Sequence, residues 1–208
     1  MTTVSVIGIG NMGSAITAVA AKAGADVQVV ARDLTKANDL VAQTGAAPAV
    51  FGAPLTGEIV VLAIPFAALD DVVAAYGEQL AGKIVVDITN PVDFSTFDGL
   101  VVPAESSAAA VVAERIPGAR VVKAFNTNFA ATLATGSVAE SATTTVLVAG
   151  DDAEAKTAVV ELVRAGGLNA EDAGSLKRAR ELEAIGFLQI TLAAAETVPW
   201  TGGFAIAK

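Results

Sequence analysis

The stretch "VSVIGIGNMGSA", Val4 to Ala15, carries three glycines at the spacing G-x-G-x-x-G, directly after a β-branched run and ahead of an Ala-rich segment, with no charged side chain. A second apolar run, "DVQVVA" (Asp26 to Ala31), follows the Ala-rich stretch, so the glycines sit inside a strand–turn–helix–strand unit. That context sets them apart from a plain structural turn. In such a unit the first glycine, Gly8, makes the tight turn, Gly10 lets the backbone approach a pyrophosphate, and Gly13 lets the helix pack closely on the sheet. Free N–H groups and the macrodipole at the helix N-terminus favour the negative charge. Gly8, Ile9, Gly10, Asn11, Met12 and Gly13 are therefore the candidate dinucleotide loop.

Outward from this unit the same rhythm continues: a helical stretch Leu34 to Gln43, the run "EIVVLAI", a helical stretch Ala67 to Leu80, and the run "KIVVDIT". The strands are apolar almost throughout instead of alternating, as a parallel sheet covered on both faces requires. The expected fold is an α/β, doubly wound Rossmann sheet over residues 1–125 with a small C-terminal α/β lobe over residues 126–208. That lobe is expected to hold the strand "TTTVLVAG", a helix starting at Asp151 and a long helix from about Leu176 to Thr197, with Gly136 to Thr143 as a mobile loop.

Composition narrows the chemistry. The 208 residues include no cysteine and no histidine, which excludes thiolate metal sites, Ser-His-Asp triads and His-dependent alcohol dehydrogenases. A formal net charge of −9 argues against a nucleic-acid partner. Mean hydropathy is +0.60, yet no run of ~20 residues escapes polar or Gly/Pro interruption, so no membrane span is expected and a cytoplasmic location is. Ala-rich, weakly charged faces between Phe187 and Val198 lead us to expect a homodimer.

At the end of the second strand, where selection for NAD places a carboxylate, the chain reads Ala31-Arg32-Asp33. The small Ala31 leaves room, Arg32 offers a fork for a 2′-phosphate, and Lys36 can lie on the same side. This favours NADP, while the alternative gives Asp33 a helix cap and leaves Arg32 solvated. Lys123, alone in an apolar strand, is expected to pair with a carboxylate. Tyr76, the sole tyrosine, reads as structural.

With "GIGNMG", "ARD" and Lys36, "LAIPFAALDDV", "DITNP", "VVKAFNT" and "DAGSLKRARELE", the chain resembles the coenzyme F420-dependent NADP oxidoreductase family over nearly its whole length. The resemblance implies a Rossmann domain with a small C-terminal lobe, NADP(H) as cofactor and coenzyme F420 as co-substrate. It places Ala63, Ile64, Pro65 and Phe66 on the loop bordering the cofactor and Asn90 and Pro91 beside the nicotinamide. Phe125, Asn126, Thr127 and Asn128 would line the acceptor pocket, and Trp200, Gly202, Gly203 and Phe204 would complete its apolar wall. The bland readings are strand termination for the two prolines and helix capping for Asn and Thr. Ile9 and Ala31 depart from members with hydroxyl residues there. A similar core occurs in metalloreductases that pass hydride to a flavin, so an NADPH-dependent flavin or ferric reductase of the same fold is the alternative. A non-catalytic NADP sensor is the alternative outside enzymes. Hydride passing between stacked rings needs no strong acid or base, which suits a chain without histidine.

Overall fold

The computed structural model describes residues 1–207. Its centre is an eight-stranded sheet whose members, in chain order, are β1 (Thr3–Ile7), β2 (Asp26–Ala31), β3 (Ala47–Val50), β4 (Ile59–Leu62), β5 (Ile84–Asp87), β6 (Arg120–Lys123), β9 (Thr145–Gly150) and β10 (Asn169–Gly174). The strand order is β10-β9-β6-β5-β4-β1-β2-β3. All pairings are parallel except β6 with β9, which is antiparallel. The strands after residue 125 thus extend the same sheet.

Apolar strands put alternate residues into two cores, as the period of two dictates. Ile59 and Val61 pack with Val4, Val6 and Val29 under α1 (Asn11–Lys22) and α6 (Ala153–Ala165), whereas Val60 and Leu62 pack with Ile7 and Val30 under α3 (Leu69–Leu80) and α4 (Ala108–Arg115). Tyr76 of α3 is buried, and its hydroxyl accepts a hydrogen bond from the Gly52 amide. The helix expected at Asp151 is α6, started by Asp152, whose carboxylate accepts from the Ala155 amide.

Two short helices, α2 (Asn38–Thr44) and α5 (Ala130–Thr135), flank α1, and α7 (Ala179–Ala194) crosses the carboxyl side of β6. The expected long helix is divided: Leu176–Arg178 form a 3-10 turn, and α7 ends three residues before Thr197. Gly136 to Thr143 is not a plain loop but a hairpin of β7 (Ser137–Val138) and β8 (Ala142–Thr143), closed by Ser137↔Thr143 and Val138↔Ala142 pairing. No helix among the described residues is long and apolar enough to cross a membrane.

The chain leaves β1 toward β2 and β3 on one side and resumes on the other side with β4, so the strand order reverses between β1 and β4. In an open α/β sheet the ligand crevice lies outside the carboxyl ends of the strands at such a point.

Candidate functional site

The glycine turn fills that reversal point. Gly8 adopts φ +107°, and a Cβ on it would stand 2.1 Å from the Ala63 carbonyl oxygen at the end of β4. Gly13 packs as closely on Gly8. A side chain at either position would drive the turn off the sheet. Gly10, in contrast, faces open space and caps α1 in extended conformation with no side-chain hydrogen bond, and the first turn of α1 carries no acidic residue. The result is a helix N-terminus with backbone donors facing an open approach, the geometry that accepts a pyrophosphate.

At the end of β2, Arg32 is exposed, ion-pairs with Asp71 in the first turn of α3, and lies over the Phe51 ring at 5.4 Å. Asp33 folds back onto its own turn: its Oδ1 accepts from the Thr35 amide at 3.0 Å and hydroxyl at 2.6 Å. These bonds hold its carboxyl below the usual carboxylate range, with Lys36 adding to the effect. Asp33 is therefore a cap, and Arg32 and Lys36 are the exposed cations beside the buried Ala31.

Ala63 and Ile64 follow β4 and are half-buried, with Ile64 packing on the α3 side, while exposed Pro65 caps the short 3-10 turn Phe66–Ala68. Ile9 packs beneath α1. Pro91 is buried behind Asn90.

A cavity of about 700 Å³ opens from the first turns of α1, at Asn11 and Met12, and runs along Ala15 and Ala18 between α2 and α5. Ile88, Asn90, Asn126 and Asn128 form its polar end, and Phe129, Ile190 and Trp200 its apolar one. The Phe129 and Trp200 rings meet at 4.8 Å. Asn90 and Asn126 clasp each other: Asn90 Nδ2 donates to the Asn126 carbonyl at 2.8 Å, and Asn126 Nδ2 donates to Asn90 Oδ1 at 2.9 Å and to the Leu182 carbonyl at 2.9 Å. Every lining side chain among the described residues is apolar, a carboxamide or a hydroxyl; none carries charge.

The structure brings Asn126, Asn128 and Trp200 to this cavity but not the other residues expected there. Phe125, at φ +63°, turns into the core and is buried. Thr127 points the opposite way from its two asparagine neighbours and lines a separate cavity of about 290 Å³ with Leu188 and Phe204. Gly203, at φ +122°, makes room for Gln189, whose Oε1 accepts from the Phe204 amide and whose Nε2 donates to the Thr127 carbonyl.

Beneath the polar end lies a fully buried cluster. Lys123 Nζ reaches Asp87 Oδ2 and Glu183 Oε1, each at 2.8 Å, and donates to the Thr89 carbonyl. All three ammonium protons have partners. Asp87 Oδ1 accepts from the Thr89 amide, so Asp87 and Lys123 grip both ends of one residue and fix the turn that presents Ile88 and Asn90. Glu183 also accepts from the Ala108 and Ala109 amides at the start of α4. Burial nevertheless pushes its carboxyl above the usual range, against the pull of Lys123.

Two members of the site have weak signatures in the sequence. Glu183 is the one acid on the buried face of α7, and Gly186 interrupts the middle of that helix, where glycine costs about 1 kcal/mol relative to alanine. The structure explains the glycine: a Cβ there would stand 2.4 Å from Asn90 Oδ1.

Residues 3–91 match the family model described as NADP oxidoreductase coenzyme F420-dependent. An F420-dependent NADP reductase of Methanocaldococcus jannaschii is 31% identical over 166 residues, 76% of this chain and 74% of that one. The Metalloreductase STEAP3 of Rattus norvegicus is 42% identical over 108 residues, 52% of this chain; the chain spans only about a fifth (21%) of that protein's length. Among solved structures, a protein of Arthrobacter sp. FB24 provisionally assigned as an F420-dependent NADP-reductase superposes with a TM-score of 0.83 at 28% identity, covering 99% of both chains.

Proposed function

Because the chain belongs to the coenzyme F420-dependent NADP oxidoreductase family, we propose that it transfers a hydride between NADP(H) and coenzyme F420 across the cavity that opens at the glycine turn. As a member of that family it is an NADP-dependent oxidoreductase. The observation that carries the finer reading is the cavity wall, which offers flat aromatic and aliphatic surfaces and fixed carboxamides but no titratable group among the described residues. Such a wall suits a reaction in which two rings must be held face to face and water kept out. When bound, NADPH supplies the hydride. The proton that accompanies reduction of the acceptor then comes from water.

In this reading the backbone from Gly8 through Ile9, Gly10, Asn11 and Met12 to Gly13 holds the pyrophosphate, Arg32 and Lys36 hold the 2′-phosphate beside Ala31, and Ala63, Ile64 and Pro65 border the cofactor. Asn90, backed by Pro91, orients the nicotinamide carboxamide, and Asn126, Asn128 and Trp200 receive the acceptor. Phe125 and Thr127 support that segment from behind. The similarity to a metalloreductase over 108 residues supports a second reading, with a flavin as acceptor.

Anaerobic incubation of the protein with NADPH and, separately, F420, FMN, FAD and riboflavin tests the proposal. Bleaching of F420 with NADPH oxidation is expected; a folded protein that binds NADPH and reduces none of the four contradicts it. We also assign the protein to the cytoplasm as a homodimer, its contact built on exposed Ile185 and Leu188 of α7 and Phe204 and Ile206 of the following segment. A monomer by light scattering at micromolar concentration would refute the dimer.

A further inference from the structure

Two carboxylates flank Arg32, the residue that follows β2, and the structure engages them differently. Asp33 is taken up by its own turn: Thr35 supplies both bonds to its Oδ1, and these start the 3-10 turn Leu34–Ala37. A ligand beside Ala31 leaves those bonds alone. Asp71 comes from α3 and holds the arginine itself, with Arg32 Nη2 meeting Asp71 Oδ2 at 2.5 Å. The Arg32 side chain is 68% exposed and that of Asp71 60%, so water and salt screen the pair and it contributes little to stability. Such a pair exchanges partners at low cost.

The platform beneath Arg32 is fixed. The guanidinium lies over Phe51, whose ring stands edge-on to buried Tyr76 at 5.2 Å, and the Tyr76 hydroxyl accepts from the Gly52 amide. The arginine is thus carried on an anchored ring while its charged end is held by an acid that can let go. Asp71 is the third residue of α3, whose N-cap, Ala68, makes no side-chain bond. A carboxylate released there stays at the positive end of the helix dipole, which favours it. Its neighbour Asp70 lies in the same turn but pairs with Arg115 at 2.6 Å instead.

Resting on the assignment of Arg32 to the 2′-phosphate, we propose that Asp71 sets the cofactor preference by competing with that phosphate for the guanidinium. A nucleotide with a 2′-phosphate displaces the carboxylate and takes over Arg32. A nucleotide with a free 2′-hydroxyl leaves the pair intact and gains nothing from it. The acid therefore lowers the affinity for NADP(H) and not that for NAD(H), which makes Asp71 a specificity-determining residue outside both the glycine turn and the cavity.

The test is calorimetric titration with NADP⁺ and NAD⁺ at about 50 mM salt, where an exposed pair is least screened. It uses the parent, Asp71→Asn, Asp70→Asn, Arg32→Ala and the double variant Arg32→Ala/Asp71→Asn. Asp71→Asn is expected to bind NADP⁺ about three- to fivefold more tightly, because no pair has to be broken. Its NAD⁺ affinity should stay within about 1.5-fold of the parent's, which also checks that the variant is folded. Asp70→Asn removes the same charge from the same turn but leaves Arg32 paired, and should bind both nucleotides within about 1.5-fold of the parent. The double variant should bind NADP⁺ within about 1.5-fold of Arg32→Ala, since the acid then has nothing to withhold. An Asp71→Asn protein that binds NADP⁺ no tighter than the parent would overturn the inference, as would a gain that Asp70→Asn or the double variant shares in full. In each of those cases a weakened Arg32→Ala would leave the 2′-phosphate assignment standing. Undiminished NADP⁺ binding by Arg32→Ala would overturn both.

Discussion

The cavity wall and the buried cluster around Lys123 share the turn from Asp87 to Asn90, yet the wall carries no charge and the cluster carries three ionisable groups. In the cluster, every ammonium proton has an oxygen and both carboxylates accept backbone amides, so the charges are spent on holding β5, β6, α4 and α7 in one geometry. In the wall, polarity comes from carboxamides held by that same geometry. Charge shapes the site, and neutral groups meet what enters it.

The strongest way to break this contrast is to remove Lys123. Lys123→Ala leaves Asp87 and Glu183 buried without their cation, which should cost about 3–5 kcal/mol of stability. Chemical denaturation should register this loss, while turnover per folded molecule falls as the turn to Asn90 loosens and keeps the pH dependence of the parent. A single apparent pKa in the parent's rate that disappears in Lys123→Ala would instead give the lysine a direct part in the reaction.

A change in the wall should do the reverse. Asn126→Ala removes the clasp on Asn90 and should slow hydride transfer or raise the acceptor KM by about 10- to 100-fold, as misplacement of reacting groups does. NADPH binding should persist. Thr127→Ala, one residue away but facing the second cavity, should change neither by more than about threefold. Steady-state kinetics of the two variants side by side sharpens the contrast, and equal effects would erase it.

At the far end of the site, Arg32→Ala should weaken NADPH binding by about 1.5 kcal/mol and leave NADH unchanged. That lies at the low end for a charge-assisted bond, because Arg32 is exposed and already ion-paired with Asp71, which a 2′-phosphate would have to displace. Calorimetric titration with both nucleotides reads it directly. Equal affinity of the parent for NADPH and NADH would remove the basis for the claim.

The smallest effect concerns Glu183 and pH. Its carboxyl titrates above the usual range in the folded protein, so the folded state holds the proton more tightly than the unfolded chain. The stability this contributes is complete below the usual carboxylate pKa and is lost as pH rises through the raised value. In Glu183→Gln that decline should vanish. The parent's Tm should therefore fall relative to the variant's as pH rises from about 4.5 toward neutrality, and a parent Tm that rises relative to the variant's would show that the lysine pairing outweighs the burial.

The two ends of the site were not equally legible in the sequence. The glycine turn could be placed because its requirements are local: a positive φ at Gly8 and the close approach of Gly13 restrict which residues can stand there. Arg32 and Lys36 are exposed cations that follow directly from the end of a recognisable strand. The carboxamide end of the cavity is built by tertiary contacts across long sequence separations, such as Asn90 with Asn126 and Lys123 with Glu183. Glu183 and Gly186 gain their meaning only when α7 is laid over β6. The segment from Phe125 to Asn128 shows the limit most clearly: one positive φ at Phe125 sends that ring into the core, and the chain then turns Asn126 and Asn128 one way and Thr127 the other.

The central claim, that the reaction is run by positioning without a titrating side chain, is tested most directly by single-turnover hydride transfer from NADPH to 5-deazariboflavin, followed by stopped flow between about pH 6 and 8.5, where neither ring titrates. The account predicts a rate that is flat across this window in the parent and in Glu183→Gln alike. A rate that rises or falls with a single apparent pKa, and whose pKa moves when Glu183 or Lys123 is substituted, would contradict it.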